Sequence, residues 1–386
     1  VSKALRAFCS RTPIKPLHYE ATNQLTVENI PIGDNMKQVL LSVWDIAGQP
    51  EYAAGIQQYI CEGSLCLLCV PAANMGPLKG SYHEFIGRWL NYLQLKSPKA
   101  IVLPVLTKCD TVSKDAQASK DRAPAYLENV AAAQLAWFNE QLDAFDASQP
   151  EGTPNRLRIL RPIQCVASSP GGEMSMDAMK ARIEEVVYSE PPMLSQVGTQ
   201  VNRNTFLTQV YVRALRDGRE PIDSARAADI GYIPSTMSME LKILGRPYIM
   251  FDDARKGYLD EFVPALKMQA TEQVLMDTVK LMQNTGEVLL GTGGMIFLQP
   301  HYLTRILQPL TDPRMGNRLW VTRSLATQDA MRALGNRPLL TEHQRNEIAL
   351  ASEWLEQTGE VREELLPTLW DQVGVKYEDY RKVLNI

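Results

Sequence analysis

The segment Asp45-Ile46-Ala47-Gly48-Gln49 combines three residue types that phosphoryl transfer requires, and it follows an apolar run at residues 39–43. A carboxylate such as Asp45 can hold Mg²⁺, often through water. A glycine such as Gly48 lets a backbone N–H approach a γ-phosphate, and an amide such as Gln49 can orient the attacking water. Because Asp and Gly are also ordinary turn residues, the segment alone leaves a simple strand-to-turn connection open.

A second polar segment, Thr107-Lys108-Cys109-Asp110, follows an apolar run at residues 101–106. The carboxylate of Asp110 could accept hydrogen bonds from the N1–H and N2–H₂ groups of guanine, which adenine does not offer. The aliphatic stem of Lys108 could pack across the base. Taken alone, the segment is equally compatible with a solvated loop.

Two weaker candidates complete the set. Ala167-Ser168-Ser169 ends the last apolar run of the first half of the chain, and a loop of small residues lets backbone N–H groups reach a base oxygen. Such loops are also common connections. Thr22 precedes the first apolar run and could be a second Mg²⁺ ligand beside Asp45, although a lone threonine more often has no such role.

The elements that position these residues alternate along the first 190 positions. The predicted strands are residues 25–32, 38–44, 65–70, 101–106 and 159–166. The predicted helices are residues 81–95, 124–145 and 175–188. Near-continuous apolar strands separated by helices predict an α/β fold, with a mostly parallel sheet covered by helices on both faces. Ligands of such sheets bind beyond the carboxyl ends of the strands, where the candidate residues lie.

The second half of the chain has a different pattern. Residues 189–200 contain two prolines and many polar residues, which indicates a domain boundary. Beyond it the chain is mainly helical. Two short apolar runs flank Gly291-Thr292-Gly293-Gly294 as in a β-hairpin, and Pro300 fits the first turn of a following helix. This combination predicts a winged-helix-like domain, with further helices at residues 342–357, 362–373 and 377–384.

Composition excludes several classes of protein. The chain has 386 residues, a net charge of −4 and 45% hydrophobic residues, which is typical of a globular protein with two or three domains. No apolar run is long enough to span a membrane, and the first residues do not resemble a signal peptide. The six cysteines include Cys66 and Cys69, which would point to opposite faces of a strand and so could not bind one metal ion. They predict buried structural thiols in a reducing, cytoplasmic compartment.

The three motifs Asp-x-x-Gly-Gln, Thr-Lys-x-Asp and Ala-Ser-Ser occur in this order at successive strand ends, and together they resemble the guanine-nucleotide-binding domain of the Ras-like superfamily. Residues 20–32, with the Trp before Asp45, are similar to the Roc domain of ROCO proteins. Residues 288–307 and 364–375 are similar to the COR domain that follows Roc in that family. The resemblance implies a Ras-like Roc GTPase domain at residues 1–190 and the N-terminal part of a COR domain at residues 191–386.

Several features depart from the family pattern. The phosphate-binding sequence G-x-x-x-x-G-K-[ST] does not occur, and we expect it upstream of Val1. Thr107 replaces an asparagine that braces the loop in Ras-like proteins, and Gln24 replaces the glycine expected after Thr22. The C-terminal part of COR, which the family is thought to use for dimerisation, is expected beyond residue 386.

The resemblance implies a guanine-nucleotide-binding switch that hydrolyses GTP to GDP with Mg²⁺, within a larger signalling protein in which a kinase domain is possible elsewhere. The implied site comprises Gln49 as the catalytic residue, Asp45, Gly48, Lys108, Asp110, Ala167 and Ser168 as nucleotide ligands, and Thr22 with Asp45 as metal ligands. The expected partners are other domains of the same chain and a second copy in a homodimer. The alternative is a Roc-COR scaffold for protein–protein interaction that does not hydrolyse GTP.

A nucleic-acid-binding winged helix is a third reading. Residues 300–345 carry seven arginines and three acidic residues. Because winged-helix-like units in COR are packing modules by resemblance, and the chain as a whole is acidic, nucleic acid is not expected as a partner.

Overall fold

A computed structural model describes residues 25–33, 39–46, 60, 63–76, 82–119, 123–149, 156–167, 173–194, 197–198, 200–217, 246–311, 321–323, 325–326, 340–371 and 381. The chain forms two compact units, and the division between them follows Gln200. Among the described residues, no helix is both long and apolar enough to cross a membrane.

The first unit is built on β-strands whose bounds follow the apolar runs of the sequence. The strands are β1 (Leu25–Ile32), β2 (Val39–Ile46), β3 (Leu65–Pro71), β4 (Ile101–Thr107), β5 (Arg158–Ile159) and β6 (Gln164–Cys165). Strands β1 and β2 form an antiparallel pair, while β3, β5 and β6 all pair in parallel with β4. Strand β4 is buried along its whole length, as its near-continuous apolar sequence requires.

Helices connect and cover these strands. They are a π-helical segment (Tyr82–Gly87) continuing into α1 (Arg88–Lys96), then α2 (Lys114–Ala118), α3 (Pro124–Val130), α4 (Ala132–Ser148) and α5 (Glu173–Val187). One hydrophobic cluster contains side chains from β3, β4, α1, α3 and α4. A second cluster contains side chains from β1, β4 and α5. Both faces of the sheet are therefore covered, which confirms the predicted α/β class.

The prediction from the sequence was wrong for one strand. Residues 159–166 were expected to form a single strand, but β5 and β6 are separate two-residue strands. Pro162 lies between them and has no N–H to donate to a neighbouring strand, so the ladder is interrupted there.

The second unit begins with helix α6 (Arg203–Asp217). Strand β7 (Tyr248–Met250) leads into α7 (Phe251–Gly257), which continues through a π-helical segment (Tyr258–Phe262) into a last turn (Val263–Ala265). Then follow α8 (Glu272–Asn284), β8 (Leu289–Leu290), β9 (Met295–Phe297), α9 (Pro300–Thr311), α10 (Glu342–Thr358), a 3₁₀ turn (Glu363–Leu365) and α11 (Leu366–Asp371). The predicted helix at 377–384 lies outside the described residues except for residue 381.

The predicted hairpin is present and is part of a three-stranded sheet. Strand β9 pairs antiparallel with both β8 and β7. Gly293 and Gly294 adopt φ values of 68° and 78°, which favour glycine, and the N–H of Gly291 donates to the carbonyl of Met295 at 2.8 Å. The order helix, strand, two helices and hairpin agrees with the predicted winged-helix-like domain. The assignment of the two units to Roc and COR domains, with a boundary at residue 190, remains a prediction.

Candidate functional site

The carboxyl end of β4 turns sharply at Lys108. This exposed residue adopts the left-handed conformation, with φ 57° and ψ 36°, and a 3₁₀ turn (Cys109–Thr111) follows it. The carbonyl of Lys108 accepts hydrogen bonds from the backbone N–H of Thr111 at 3.0 Å and from its hydroxyl at 2.8 Å. A non-glycine residue in this conformation is uncommon and persists only where its surroundings hold it. Thr111 supplies that support, so the loop has a defined shape.

Asp110 lies in the 3₁₀ turn and is buried, with 6% of its surface exposed. The preceding residue, Cys109, ties the turn to the neighbouring strand end, because its N–H donates to the carbonyl of Val166 at 3.3 Å. The N–H of Val166 in turn donates to the carbonyl of Leu106 at 2.9 Å. The structure therefore brings together the two segments that were expected to contact a guanine base.

Thr107, which stands where Ras-like proteins have a bracing asparagine, is the buried last residue of β4 and lies opposite Pro71 in β3. Other contacts brace the loop after it. The thiol of Cys109 donates to the carbonyl of Leu106 at 3.1 Å. Burial and the neighbouring Cys165 raise the pKa of the Cys109 thiol, with the hydrogen bond to Cys165 as the largest cause. This residue is therefore a neutral packing group within the loop.

Ala167, the first residue after β6 and Val166, is fully buried. Its N–H donates to the hydroxyl of Ser175 at 3.2 Å, and that hydroxyl also lies 3.5 Å from the carbonyl oxygen of Ala167. Ser175 belongs to the first turn of α5 and is 1% exposed. The backbone N–H of Ala167 is thus hydrogen-bonded within the protein.

Asp45 lies one residue before the end of β2 and is 5% exposed. The strand runs two residues further than the sequence predicted, because its pairing with β1 continues to the Leu25–Ile46 pair. Burial, and in addition the negative charge of Asp45, raise the pKa of the Cys69 thiol in β3 to about 11.

Four predicted site residues cannot be placed. Thr22, Gly48, Gln49 and Ser168 lie outside the described residues. Within the part of the chain that the structure describes, no group of three or more His, Cys, Asp or Glu side chains could hold a metal ion. Of the two predicted metal ligands, Thr22 and Asp45, only Asp45 is among the described residues.

The cysteines agree with the predicted structural role where the structure describes them. Cys66 packs against the cluster on the α1 side of the sheet and Cys69 against the cluster on the α5 side, so the two thiols point to opposite faces. Cys109 and Cys165 are buried and free.

Sequence reasoning missed Ser175 and Thr111, the two hydroxyl groups that hold the candidate loops. Ser175 is eight residues beyond Ala167, and no local pattern connects the two. Thr111 follows Asp110 directly and could have been found, because threonine often bonds to nearby backbone carbonyls in turns.

A cavity of about 360 Å³ lies elsewhere in the first unit, beside the C-terminal end of α5. Gly33, Glu184, Tyr188 and Glu190 are among the residues that line it. Because Ser175 lies at the opposite end of this helix, roughly 15–20 Å away at 1.5 Å per residue, the cavity is separate from the candidate site.

The chain was compared with known proteins. Residues 12–110 match the family described as "Ras of Complex, Roc, domain of DAPkinase". None of the curated proteins matches the chain. A solved structure, Methanosarcina barkeri Roco2 RocCORdC bound to GDP, superimposes with a TM-score of 0.47 and 11% sequence identity, over 83% of this chain and 74% of that chain. The segment that matches the Roc family contains Asp45 and ends on Asp110, the two carboxylates of the candidate site.

Proposed function

We propose that the first unit binds guanine nucleotides. The observation that carries this proposal is the buried position of Asp110 at the carboxyl end of β4, next to Cys109, whose backbone N–H donates to the carbonyl of Val166 in the chain leaving β6. A carboxylate in this place accepts from guanine N1–H and N2–H₂, while adenine offers no such pair of donors. The exposed Lys108, held in its turn by Thr111, lays its aliphatic stem over the base.

The phosphates and Mg²⁺ belong at the end of β2 in this proposal. The carboxylate oxygens of Asp45 are the type of ligand that Mg²⁺ prefers, and the hydroxyl of Thr22 would provide a second oxygen ligand. When bound, the metal ion neutralises charge on the β- and γ-phosphates. Asp45 would hold and orient the ion, and the N–H of Gly48 would approach the γ-phosphate.

Hydrolysis of GTP is the further step of the proposal. Gln49 would orient the attacking water, because a neutral amide both donates and accepts hydrogen bonds. The nucleotide state would then act as a switch in a larger signalling protein, with residues 191–386 as the first part of a COR domain. The alternative is a Roc-COR scaffold for protein–protein interaction that does not hydrolyse GTP.

The test is nucleotide titration of the full-length protein and its Asp110→Asn variant. Replacing a carboxylate oxygen by an NH₂ group mismatches guanine and suits xanthine, so we expect GDP affinity to fall by roughly 100-fold, or about 2.7 kcal/mol, with a relative gain for xanthosine diphosphate. Asp115→Asn is the matched control, since Asp115 is an exposed residue of the first turn of α2 in the same connection.

Two results would overturn the proposal. Wild-type protein that binds GDP no better than ADP lacks a guanine site. Equal GDP affinity in the Asp110→Asn and Asp115→Asn variants would show that the turn after β4 is only a connection.

A further inference from the structure

Lys108 holds a backbone conformation that lysine rarely adopts. Its φ of 57° and ψ of 36° lie in the left-handed region, where the Cβ atom crowds the backbone. Among the residues that the structure describes, Lys267 is the other non-glycine residue with a positive φ, and it closes the end of a helical turn, donating its N–H to the carbonyl of Pro264 at 3.1 Å. Left-handed residues are common at helix ends. Because Lys108 instead follows a β-strand, a different contact has to offset its cost.

The side chain of Thr111 supplies that contact. Its hydroxyl donates to the carbonyl of Lys108 at 2.8 Å, and its backbone N–H donates to the same oxygen at 3.0 Å. The backbone bond is available to almost any residue at position 111, whereas the second bond requires a short side chain with a donor, such as threonine or serine. The hydroxyl therefore holds the peptide between Lys108 and Cys109, which would have to rotate if Lys108 relaxed to a negative φ.

We infer that Thr111 is a positioning residue for nucleotide binding, whose hydroxyl keeps Lys108 in the one backbone conformation that presents its side chain to the base. This inference rests on the proposed guanine-nucleotide binding. A glycine at position 108 would adopt the same φ at no steric cost, but it has no aliphatic stem to pack on a base. The bond from Thr111 allows the chain to keep a lysine where the backbone favours glycine.

The physical effect is a change in the population of the unliganded loop. Without the hydroxyl bond, the turn populates both the left-handed conformation and the ordinary ones, and only the first presents the stem of Lys108. The apparent dissociation constant rises in inverse proportion to the competent fraction. We expect a factor of about five, which corresponds to the net contribution of one hydrogen bond.

The first experiment is titration of the full-length Thr111→Val protein with GDP. Valine keeps the branched shape of threonine and removes only the hydroxyl, so GDP should bind about fivefold more weakly than to the wild type. Thr111→Ser retains the donor and should bind GDP as the wild type does.

A second background tests whether Thr111 acts through Lys108. The Lys108→Gly protein lacks the stem and should bind GDP more weakly than the wild type, but its turn no longer needs the hydroxyl. Adding Thr111→Val to Lys108→Gly should therefore cause no further loss of GDP affinity. If Thr111 contributed only general stability, the loss would be the same in both backgrounds, because independent effects add.

Ser113 provides a matched control in the same connection. Its hydroxyl accepts the N–H of Ala116 at 3.1 Å and caps the first turn of α2, so it is also a hydroxyl bonded to nearby backbone. Ser113→Ala should lower the thermal unfolding temperature at least as much as Thr111→Val does. It should leave GDP affinity unchanged.

The outcomes separate the two hypotheses. Wild-type protein that binds GDP no better than ADP overturns the proposed function, and the inference with it. A wild-type preference for GDP with unchanged GDP affinity in Thr111→Val overturns the inference alone. An equal loss from Thr111→Val in the Lys108→Gly background, or the same loss in Ser113→Ala, would show that the hydroxyl acts through general stability and would also overturn it.

Discussion

The two units of the chain bury polar side chains in different ways. In the first unit Asp45, Asp110 and Ser175 are all buried at or beside the carboxyl ends of β-strands. In the second unit several buried hydroxyls bond within and between helices. Thr208 donates to the carbonyl of Asn204 at 2.7 Å and meets the hydroxyl of Tyr258 at 2.7 Å.

Tyr211 shows the same behaviour in the second unit. Its hydroxyl donates to the carbonyl of Ala254 at 2.9 Å, and its ring lies 4.9 Å from that of Phe262. Burial raises the pKa of Tyr211 above its ordinary value, so it stays neutral. The difference teaches that burial of a polar group is not itself a sign of a site. Carboxylates and backbone at strand ends can meet a ligand, whereas a hydroxyl already paired between helices stabilises packing.

The largest effect that we expect in the second unit comes from Gly257→Ala. A Cβ atom there would lie 2.8 Å from the Tyr211 hydroxyl, which must then leave its bond to Ala254. Overpacking and the lost hydrogen bond outweigh the better helix propensity of alanine, so the free energy of unfolding should fall by about 2 kcal/mol. Urea unfolding measures the change.

A second substitution tests the cause. In a Tyr211→Phe background the hydroxyl is absent, and Gly257→Ala should then be neutral or stabilising. Equal destabilisation in both backgrounds would show that the Tyr211 hydroxyl is not the cause. A change in GDP affinity would show that this contact in the second unit also affects ligand binding, against the contrast drawn between the two units.

Gln49→Leu is expected to have the next largest effect, and it tests the proposed hydrolysis of GTP. Leucine keeps the approximate size of glutamine and removes both hydrogen-bonding functions. The full-length protein should bind GTP as before and hydrolyse it at least roughly tenfold more slowly, which corresponds to about 1.4 kcal/mol. Single-turnover hydrolysis measures this. An unchanged rate would favour the scaffold alternative, with Gln49 as a turn residue.

The smallest effect is expected at the ion pair of Arg213 and Glu287, which joins α6 to the segment after α8. The guanidinium donates two hydrogen bonds of 2.7 Å to the two carboxylate oxygens. Because Arg213 is 38% exposed, solvent screens the pair, and Glu287→Gln should cost about 1 kcal/mol of unfolding free energy. The loss should shrink at high salt.

A surface pair in the first unit is the control for that measurement. Arg161 lies 2.8 Å from Asp143, whose side chain is 72% exposed. Asp143→Asn should change stability by less than Glu287→Gln does. If the two substitutions cost the same, the Arg213–Glu287 pair has no special structural role in the second unit.

Much of the fold could be predicted because local patterns express it. The apolar runs gave β1 to β4 within two residues, since each strand is bounded by turn residues. The glycines at 293 and 294 marked the hairpin, and Pro300 marked the start of α9. Strand β7 was missed, because three residues carry too little pattern and their partner in β9 lies 45 or more residues away.

The sequence by itself determined the chemistry that the candidate site can offer. The carboxylates of Asp45 and Asp110 and the side chain of Lys108 follow apolar runs, and parallel strands bring such ends to one edge of a sheet. Residue types and local spacing are enough for that inference.

Only the tertiary structure decided how these groups are held. The left-handed turn at Lys108 depends on Thr111, and the orientation of the Ala167 peptide depends on a hydroxyl from the first turn of α5. The bond between Cys109 and Val166 joins residues 57 positions apart. Such contacts arise because packing brings distant backbone groups into water-free places where each needs a partner, and no local pattern names that partner.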